Sequence, residues 1–302
     1  MHDTEGIILE NLLIRQDFYR CKIELARPMG KVIPGQFLML KIPSAEIFLR
    51  RPFSIYDYGK QTVTILYKAV GKGTRALTSA GRKERVMVLG PLGHGFQVHQ
   101  GYTPVLVAGG IGIAGLHLLR KQLKRKARFF YGCSTEQETS LIREIDFRGR
   151  VRGNLSSEDS EPGTRGREAA GGWREAGYPL AGGVLPRGTH EVGRGATRAP
   201  AIVCTLDGSA GFCGNVVQLL ESCLSLVGER PYVYACGPQP MLASLKVLLA
   251  KEMIPCQVLV EERMACGLGL CFGCVKKTLD DTEPYKRACV EGPVFDLWQL
   301  SL

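Results

Sequence analysis

Apolar and polar positions change their spacing once along this chain, near residue 100. Before that point, apolar and β-branched runs such as QFLMLKI, TVTILYKAV and ERVMVLGPLG are separated by Pro and Gly. That is the punctuation of consecutive strands, so residues 1–98 are predicted to form a β-rich domain. From Pro104 onward, short apolar runs alternate with longer amphipathic ones. PVLVAGG reads as a strand and AGLHLLRKQLKRK as a helix; ARFFYGCS and TSLIREIDF repeat the pair. AIVCTLDGS, GNVVQLLESCLSLV, PYVYACGP and PQPMLASLKVLLAKEM resume the alternation later. Strands alternating with helices predict a parallel, doubly wound, Rossmann-like α/β domain.

Between the two stretches of that domain, Arg148 to about Pro200 follows neither a two-residue nor a 3.6-residue period. The segment is dense in Gly, Arg, Ser and Pro, too poor in apolar surface to offset the entropy of ordering. It is predicted to be a disordered, dispensable insertion. Its nine arginines outnumber its six acidic residues, so it supplies about three of the ten net positive charges. No basic stripe interleaved with aromatic residues remains to point to nucleic acid.

With 302 residues, the chain has room for two or three domains. Its most apolar run, Thr103 to Leu119, is shorter than the roughly 20 residues of a membrane span. Four glycines also break it, so no membrane segment is expected. Eleven cysteines in this length are too dilute for a disulfide scaffold, and their number is odd. The first residues carry no basic-then-apolar leader pattern. A reducing cytoplasm is the expected setting, where clustered cysteines hold metal or do redox work.

The cysteines do cluster: Cys266-x4-Cys271-x2-Cys274-x14-Cys289. A four-residue gap, a two-residue gap and a distant fourth thiol is plant-type 2Fe-2S spacing. Gly267, Gly269 and Gly273 lie among them and would let the backbone wrap closely with its N–H groups aimed at sulfur. Zinc held by four thiolates is the alternative, although only Cys271 and Cys274 form the CxxC pair usual in structural zinc sites. Catalytic thiol chemistry leaves the other cysteines without a role. Cys21, Cys133, Cys204, Cys213, Cys223, Cys236 and Cys256 are scattered, mostly in apolar runs where burial is the default.

A one-electron centre needs a redox partner. Arg51-Pro52-Phe53-Ser54 follows an apolar strand, and Gly71-Lys72-Gly73-Thr74 is a glycine turn expected to open a helix at Thr74. Such a turn offers free N–H groups to an anion, and an arginine can clamp a diphosphate. Further on, Gly109, Gly110 and Gly112 stand between a strand and a helix, where a pyrophosphate can approach the backbone. Cys236-Gly237 ends a later strand, at the edge where open α/β sheets take ligands.

RRPFSIYD, LYKAVGKGT, GPLGHGF, VLVAGGIGIAGL, YACGPQPML and ACGLGLCFGC with RACVEGPVF occur here in this order. In that order the chain resembles the electron-transfer subunits of dihydroorotate dehydrogenase B, within the ferredoxin–NADP reductase superfamily. The resemblance covers nearly all of the chain outside the insertion. It implies a six-stranded antiparallel FAD-binding β-barrel (1–98), an NAD-binding α/β domain (99–255) and a 2Fe-2S module (256–302). It also implies that Arg51, Pro52, Phe53 and Ser54 hold the flavin, that Leu66, Tyr67 and Lys68 line it, and that Gly73 and Thr74 meet its diphosphate. Gly109, Gly110 and Gly112 would serve NAD, with Cys236 and Gly237 beside the nicotinamide. Gly115 departs from the family pattern, which has proline after the alanine, and Leu206 replaces an aspartate.

The implied role is oxidoreductase: electrons from an FMN-containing catalytic subunit reach NAD through 2Fe-2S and FAD, in pyrimidine biosynthesis. Two copies of each subunit would make a heterotetramer. A ferredoxin–NADP transhydrogenase or sulfhydrogenase subunit is the competing redox role. Relatives of that kind often place an acidic residue where this chain has Cys266.

Overall fold

The computed structural model describes residues 2–44, 46–123, 127–142 and 201–302. The insertion expected over 148–200 and the end of the helix expected over 139–147 lie outside the described residues.

The first sheet is antiparallel, in the order β4-β3-β7-β1-β2-β6-β5. Its strands are β1 (His2–Arg15), β2 (Phe18–Leu25), β3 (Phe37–Lys41), β4 (Arg51–Ser54), β5 (Asp57–Tyr58), β6 (Thr62–Lys68) and β7 (Arg85–Leu92). Seven strands stand where six were expected because one closing segment counts twice. Arg51–Ser54 pairs with β3 at one edge, and Asp57–Tyr58 pairs with β6 at the other. Only Ile55 and Tyr56 separate them; their N–H groups donate to Gln36 O and Thr64 O, 3.0 Å each. That segment rolls the sheet into a barrel and removes its free edges.

Inside the barrel, alternate residues such as Ile23, Leu38, Leu40, Val63, Ile65, Tyr67 and Val88 form one buried cluster. Phe37, Met39, Leu89 and Leu92 point the other way, into a second cluster shared with the α/β sheet and the C-terminal module. Burial on both faces explains the unbroken apolar run of β3. Helix α1 (Lys72–Thr78) begins two residues before the expected Thr74, capped from Gly71. The Thr74 hydroxyl accepts from the N–H groups of Val70 and Gly71 and so belongs to the cap rather than to its start.

Asn11 fastens α1 to the barrel. Its side-chain amide donates to Leu77 O at 2.7 Å and Ala80 O at 3.1 Å, and its oxygen accepts from the Tyr67 hydroxyl at 3.1 Å. Tyr67 is only 2% exposed. Asn11→Ala strands that hydroxyl without a partner, so a thermal or urea melt should show a loss of about 1–3 kcal/mol.

The second sheet runs β11-β10-β9-β8-β12-β13-β16. It contains β8 (Thr103–Gly109), β9 (Arg128–Cys133), β10 (Ala201–Thr205), β11 (Phe212–Cys213), β12 (Pro231–Cys236) and β13 (Cys256–Leu259), all parallel. A tight turn at Gly110–Gly112 leads from β8 into α2 (Ile113–Leu123), and α3 (Val216–Cys223) and α4 (Gln239–Ala250) cover the sheet. The chain leaves β8 toward β9 and β10, then returns to lay β12 on the opposite side of β8. That reversal is the topological switch point where such sheets bind ligands.

The C-terminal module is a hairpin, β14 (Val275–Lys277) with β15 (Tyr285–Arg287), followed by β16 (Val294–Asp296). Just past the expected boundary at residue 256, β13 is a parallel partner of β12, and β16 adds antiparallel to β13. Cys256, Val258, Leu259 and Val260, broken only by Gln257, suit a strand but do not say which sheet will take it. Among the described residues no helix is long and apolar enough to cross a membrane.

Candidate redox and nucleotide site

Three parts of the molecule meet around β4: the cysteine loop, a cradle at the barrel rim, and the switch-point crevice.

Cys266, Cys271 and Cys274 lie on the loop between β13 and β14, and Cys289 follows β15. Gly267 and Gly269 take positive φ, +69° and +80°, as expected. Gly273 does not; Phe272 supplies the third left-handed residue instead, at +55°. A Cβ on Gly267 would lie 2.7 Å from Met39 Cγ, so the loop rests directly on the barrel. The Leu268 N–H donates to Cys266 Sγ at 3.3 Å and the Gly273 N–H to Cys271 Sγ at 3.5 Å.

The thiols come as two pairs, Cys266 with Cys271 and Cys274 with Cys289. The second pair is buried, and Cys271 is exposed. Burial pushes the Cys289 thiol up to about 12, helped by Cys274 beside it. At Cys266 burial also raises the pKa, but the surrounding N–H groups outweigh it and lower the thiol to about 6. Among the described residues no three His, Cys, Asp or Glu side chains converge on a point that could take a single metal ion. Two thiol pairs, with the Leu268 and Gly273 N–H groups on their outer sulfurs, fit the donor set of a 2Fe-2S centre.

At the barrel rim, Phe53 lies edge-on to Tyr67 inside the barrel, 5.7 Å between ring centres. Arg51 lies across the first turn of α1: a Cβ on Gly73 would come within 2.6 Å of its Nε. Only glycine leaves that groove open. Thr64 gives its carbonyl to Tyr56 on the β5 side. Strand alternation therefore turns the backbone groups of Leu66 and Lys68 toward β4, which β6 touches. Tyr67 sends its ring into the barrel and, one residue out of step with Leu66 and Lys68, turns its backbone groups toward β2. Lys68 is held over the Phe18 ring at 4.7 Å and by Glu138 at 3.6 Å.

In the crevice, the ends of β8 and β12 touch through glycines. A Cβ on Gly112 would lie 2.2 Å from Cys236 O, and one on Gly109 would lie 2.6 Å from Met241 Sδ. Gly110, at φ +52°, faces open space, and a Cβ on Gly237 would meet Met241 at 2.6 Å. Cys236 is fully buried, which holds its thiol well above the ordinary range. Gly115 sits where the two halves join: a Cβ there would lie 3.2 Å from Cys236 Sγ and 3.6 Å from Ser54 Oγ. Leu206 is 61% exposed at the end of β10, and Asp207 beside it is held below the usual carboxylate range by the Ser209 hydroxyl and N–H.

Of the scattered cysteines, Cys21, Cys133, Cys204, Cys236 and Cys256 are buried, while Cys213 is exposed and Cys223 half-buried. Sequence reasoning did not single out Glu261, just past the carboxyl end of β13. The residue is exposed at that strand end, and the protein packed around the carboxyl pushes its pKa up. Its place after a strand end was the signal available.

A family model described as the iron-sulfur cluster binding domain of dihydroorotate dehydrogenase B matches residues 261–301. The electron transfer subunit of dihydroorotate dehydrogenase B (NAD(+)) from Caldanaerobacter subterraneus subsp. tengcongensis is 31% identical, over 95% of this chain and 94% of that one. The protein of the same name from Lysinibacillus sphaericus is 34% identical, over 87% of this chain and 84% of its own length. Among solved structures, an NADH-dependent reduced ferredoxin-NADP oxidoreductase superposes with TM-score 0.71 at 21% identity, over 98% of this chain and 89% of that one. A ferredoxin NADP+ reductase from Neisseria gonorrhoeae, with FAD and NADP bound, gives 0.55 at 13% identity, over 83% and 92%. These two show the same fold. Barrel, switch-point crevice and paired thiols therefore agree with the sequence relatives: the chain belongs to the family of the electron-transfer subunits of dihydroorotate dehydrogenase B.

Proposed function

We propose that this chain carries electrons from dihydroorotate, oxidised in a separate catalytic subunit, to NAD. The observation that carries the reading is the meeting of Ser54 and Cys236 at Gly115, with the cysteine loop seated on Met39, the cross-strand partner of Pro52. β3, on which the cysteine lobe rests, is thus paired with β4, whose Ser54 reaches the nucleotide crevice.

Each cofactor has a place that the residues fit. Cys266, Cys271, Cys274 and Cys289 would hold a 2Fe-2S cluster. Arg51, Pro52, Phe53, Ser54, the strand edge at Leu66–Lys68 and the Gly73–Thr74 turn would hold FAD. Gly109, Gly110, Gly112, Cys236 and Gly237 would receive NAD. FAD supplies the exchange between hydride and single-electron chemistry, and the protein supplies position. Arg51 brings a fixed positive charge to the groove beside Gly73, which suits a diphosphate. Ser54 and Cys236 place small polar groups on either side of the point where two flat rings would meet. Burial keeps the Cys236 thiol protonated and unreactive there.

The reading is tested on anaerobically reconstituted protein by visible absorption and by electron paramagnetic resonance after dithionite. Flavin and 2Fe-2S bands with a paramagnetic signal are expected. A colourless protein containing zinc would overturn the reading. Copurification with an FMN-containing dihydroorotate dehydrogenase tests the partner, and the mass of the complex tests the expected two copies of each subunit. Arg51→Ala should purify with most of its flavin lost and its iron retained, measured by flavin released on denaturation against iron content.

A further inference from the structure

Just past Ser54, the barrel segment meets helix α2, which opens at the glycine turn of the nucleotide crevice. The Tyr56 ring stacks on the His117 ring, 4.1 Å between centres and 19° from parallel. Both residues are buried. One turn further along α2, Lys121 Nζ donates to Asp57 Oδ1 at 2.6 Å. Between His117 and Lys121, Leu118 enters the buried cluster of the barrel itself. Earlier in the helix, Gly115 lies beside Ser54 but offers no side chain to hold it. The grip of α2 on this segment therefore falls to His117, Leu118 and Lys121.

Both sides of the contact are short extensions of a binding element. On the barrel side, the N–H groups of Ile55 and Tyr56 donate to Gln36 O and Thr64 O, 3.0 Å each, which ties Tyr56 to both barrel edges and to β4. On the other side, Gly110–Gly112 runs directly into α2. At a rise of about 1.5 Å per residue, His117 stands only about 8 Å along the axis from Gly112. A slide or tilt of α2 against Tyr56 therefore moves the nucleotide turn against β4.

We propose that Tyr56 and His117 are positioning residues for hydride transfer: their stacked rings, with the Asp57–Lys121 ion pair beside them, set the register of α2 against β4 and so the distance between nicotinamide and flavin. This rests on reading Arg51–Ser54 as the flavin strand and Gly109–Gly112 as the nucleotide turn. In the transfer, a C–H bond of NADH breaks, its hydrogen leaves with both electrons of that bond, and an N–H bond forms on the flavin. Neither Tyr56 nor His117 gives up a proton or an electron. Reacting atoms must come within about 3–3.5 Å, and an error of about 1 Å costs up to about a hundredfold in rate. Two flat rings stacked in a buried site resist sliding, whereas an ion pair open to solvent adds less.

The test follows flavin reduction by NADH in the full-length chain loaded with FAD, by stopped-flow absorbance. Tyr56→Leu should lower the rate at saturating NADH about tenfold, as a misplacement of about half an ångström would. The NADH concentration that gives half of that rate should stay near the parent's. Tyr56→Phe, which keeps the stack, should restore most of the rate. Urea unfolding of the same protein gives a readout independent of turnover. The effects of Tyr56→Leu and His117→Leu on the unfolding constant should not multiply: the double variant should be about fivefold more stable than their product predicts. Leu118 and the Lys68–Glu138 pair still join the barrel to the α/β domain in these variants. If Tyr56→Leu nevertheless fails to fold, Lys121→Met, which keeps the stack, should show a smaller loss of saturating rate at the same half-saturation. An unchanged saturating rate in the variant measured overturns the proposal. So does a raised half-saturating concentration at an unchanged rate, because the rings would then serve nucleotide binding. Unfolding effects that multiply also overturn it. A parent protein that binds no flavin refutes the flavin reading instead, and the unfolding cycle still judges the stack.

Discussion

Cys271→Ser is expected to abolish dihydroorotate-dependent NAD reduction in the assembled complex while leaving flavin bound. Cys271 is the exposed member of the outer thiol pair, and its sulfur is met by the Gly273 N–H. A serine oxygen of similar size is a harder donor that stays protonated at neutral pH, so it replaces a thiolate poorly at iron. The flavin cradle is built from β4, β6 and α1, and the cysteine loop reaches that barrel through Gly267 on Met39 and Leu92 rather than through Cys271. Flavin content and NADH oxidation by an artificial electron acceptor should therefore stay near the parent's values, while the iron signal disappears. If the variant still reduced NAD from dihydroorotate at the parent's rate, the cysteine lobe would not lie on the electron path.

Much of this arrangement was legible in the residues. Apolar, β-branched runs between Pro and Gly announced the β-rich domain, alternating strands and helices announced the parallel sheet, and the 4-2-14 spacing announced the ligand loop. Each of these signals is local, set within a dozen residues or so by backbone geometry. What escaped sequence reasoning depends on contacts between distant segments. The apolar run Cys256–Leu259 reads as a strand by composition, but only parallel pairing with β12 puts it in the nucleotide sheet. The closing role of Arg51–Tyr58 needs both barrel edges at once. Tyr67 belongs to a motif that implies a flavin-lining role, yet strand alternation sends its ring inward to Asn11. Gly115 drew notice in the sequence as a departure from a pattern. Its place beside both Ser54 and Cys236 comes from barrel, helix and sheet meeting at one point.

The second large effect is expected at Gly112, where Gly112→Ala should destabilise the α/β domain and cripple flavin reduction by NADH. The new Cβ would lie 2.2 Å from Cys236 O, 2.6 Å from Cys236 C and 2.9 Å from Gly237 N. All three are backbone atoms of the end of β12, so no side chain can swing aside. Relief requires β8 and β12, the central pair of the sheet, to move apart at their carboxyl ends. Overpacking of this kind costs about 1–3 kcal/mol, and each kcal/mol lowers the melting midpoint by about 2–4 °C in a domain of this size. The same displacement distorts the crevice between Gly109 and Gly237, so flavin reduction by NADH should need far more nucleotide to reach half its rate. Transfer of electrons from dithionite into the flavin and iron should be unaffected, because the barrel and cysteine loop keep their contacts. Gly101→Ala, just before β8 and away from the crevice, is the control. Its φ of +77° costs a side chain about 1–2 kcal/mol, but the nearest atom to the new Cβ is Arg230 Nη1 at 3.9 Å. It should therefore lose some stability and keep its affinity for NADH. Equal affinities in the two variants would show that the close approach of β8 to β12 does not shape the nucleotide crevice.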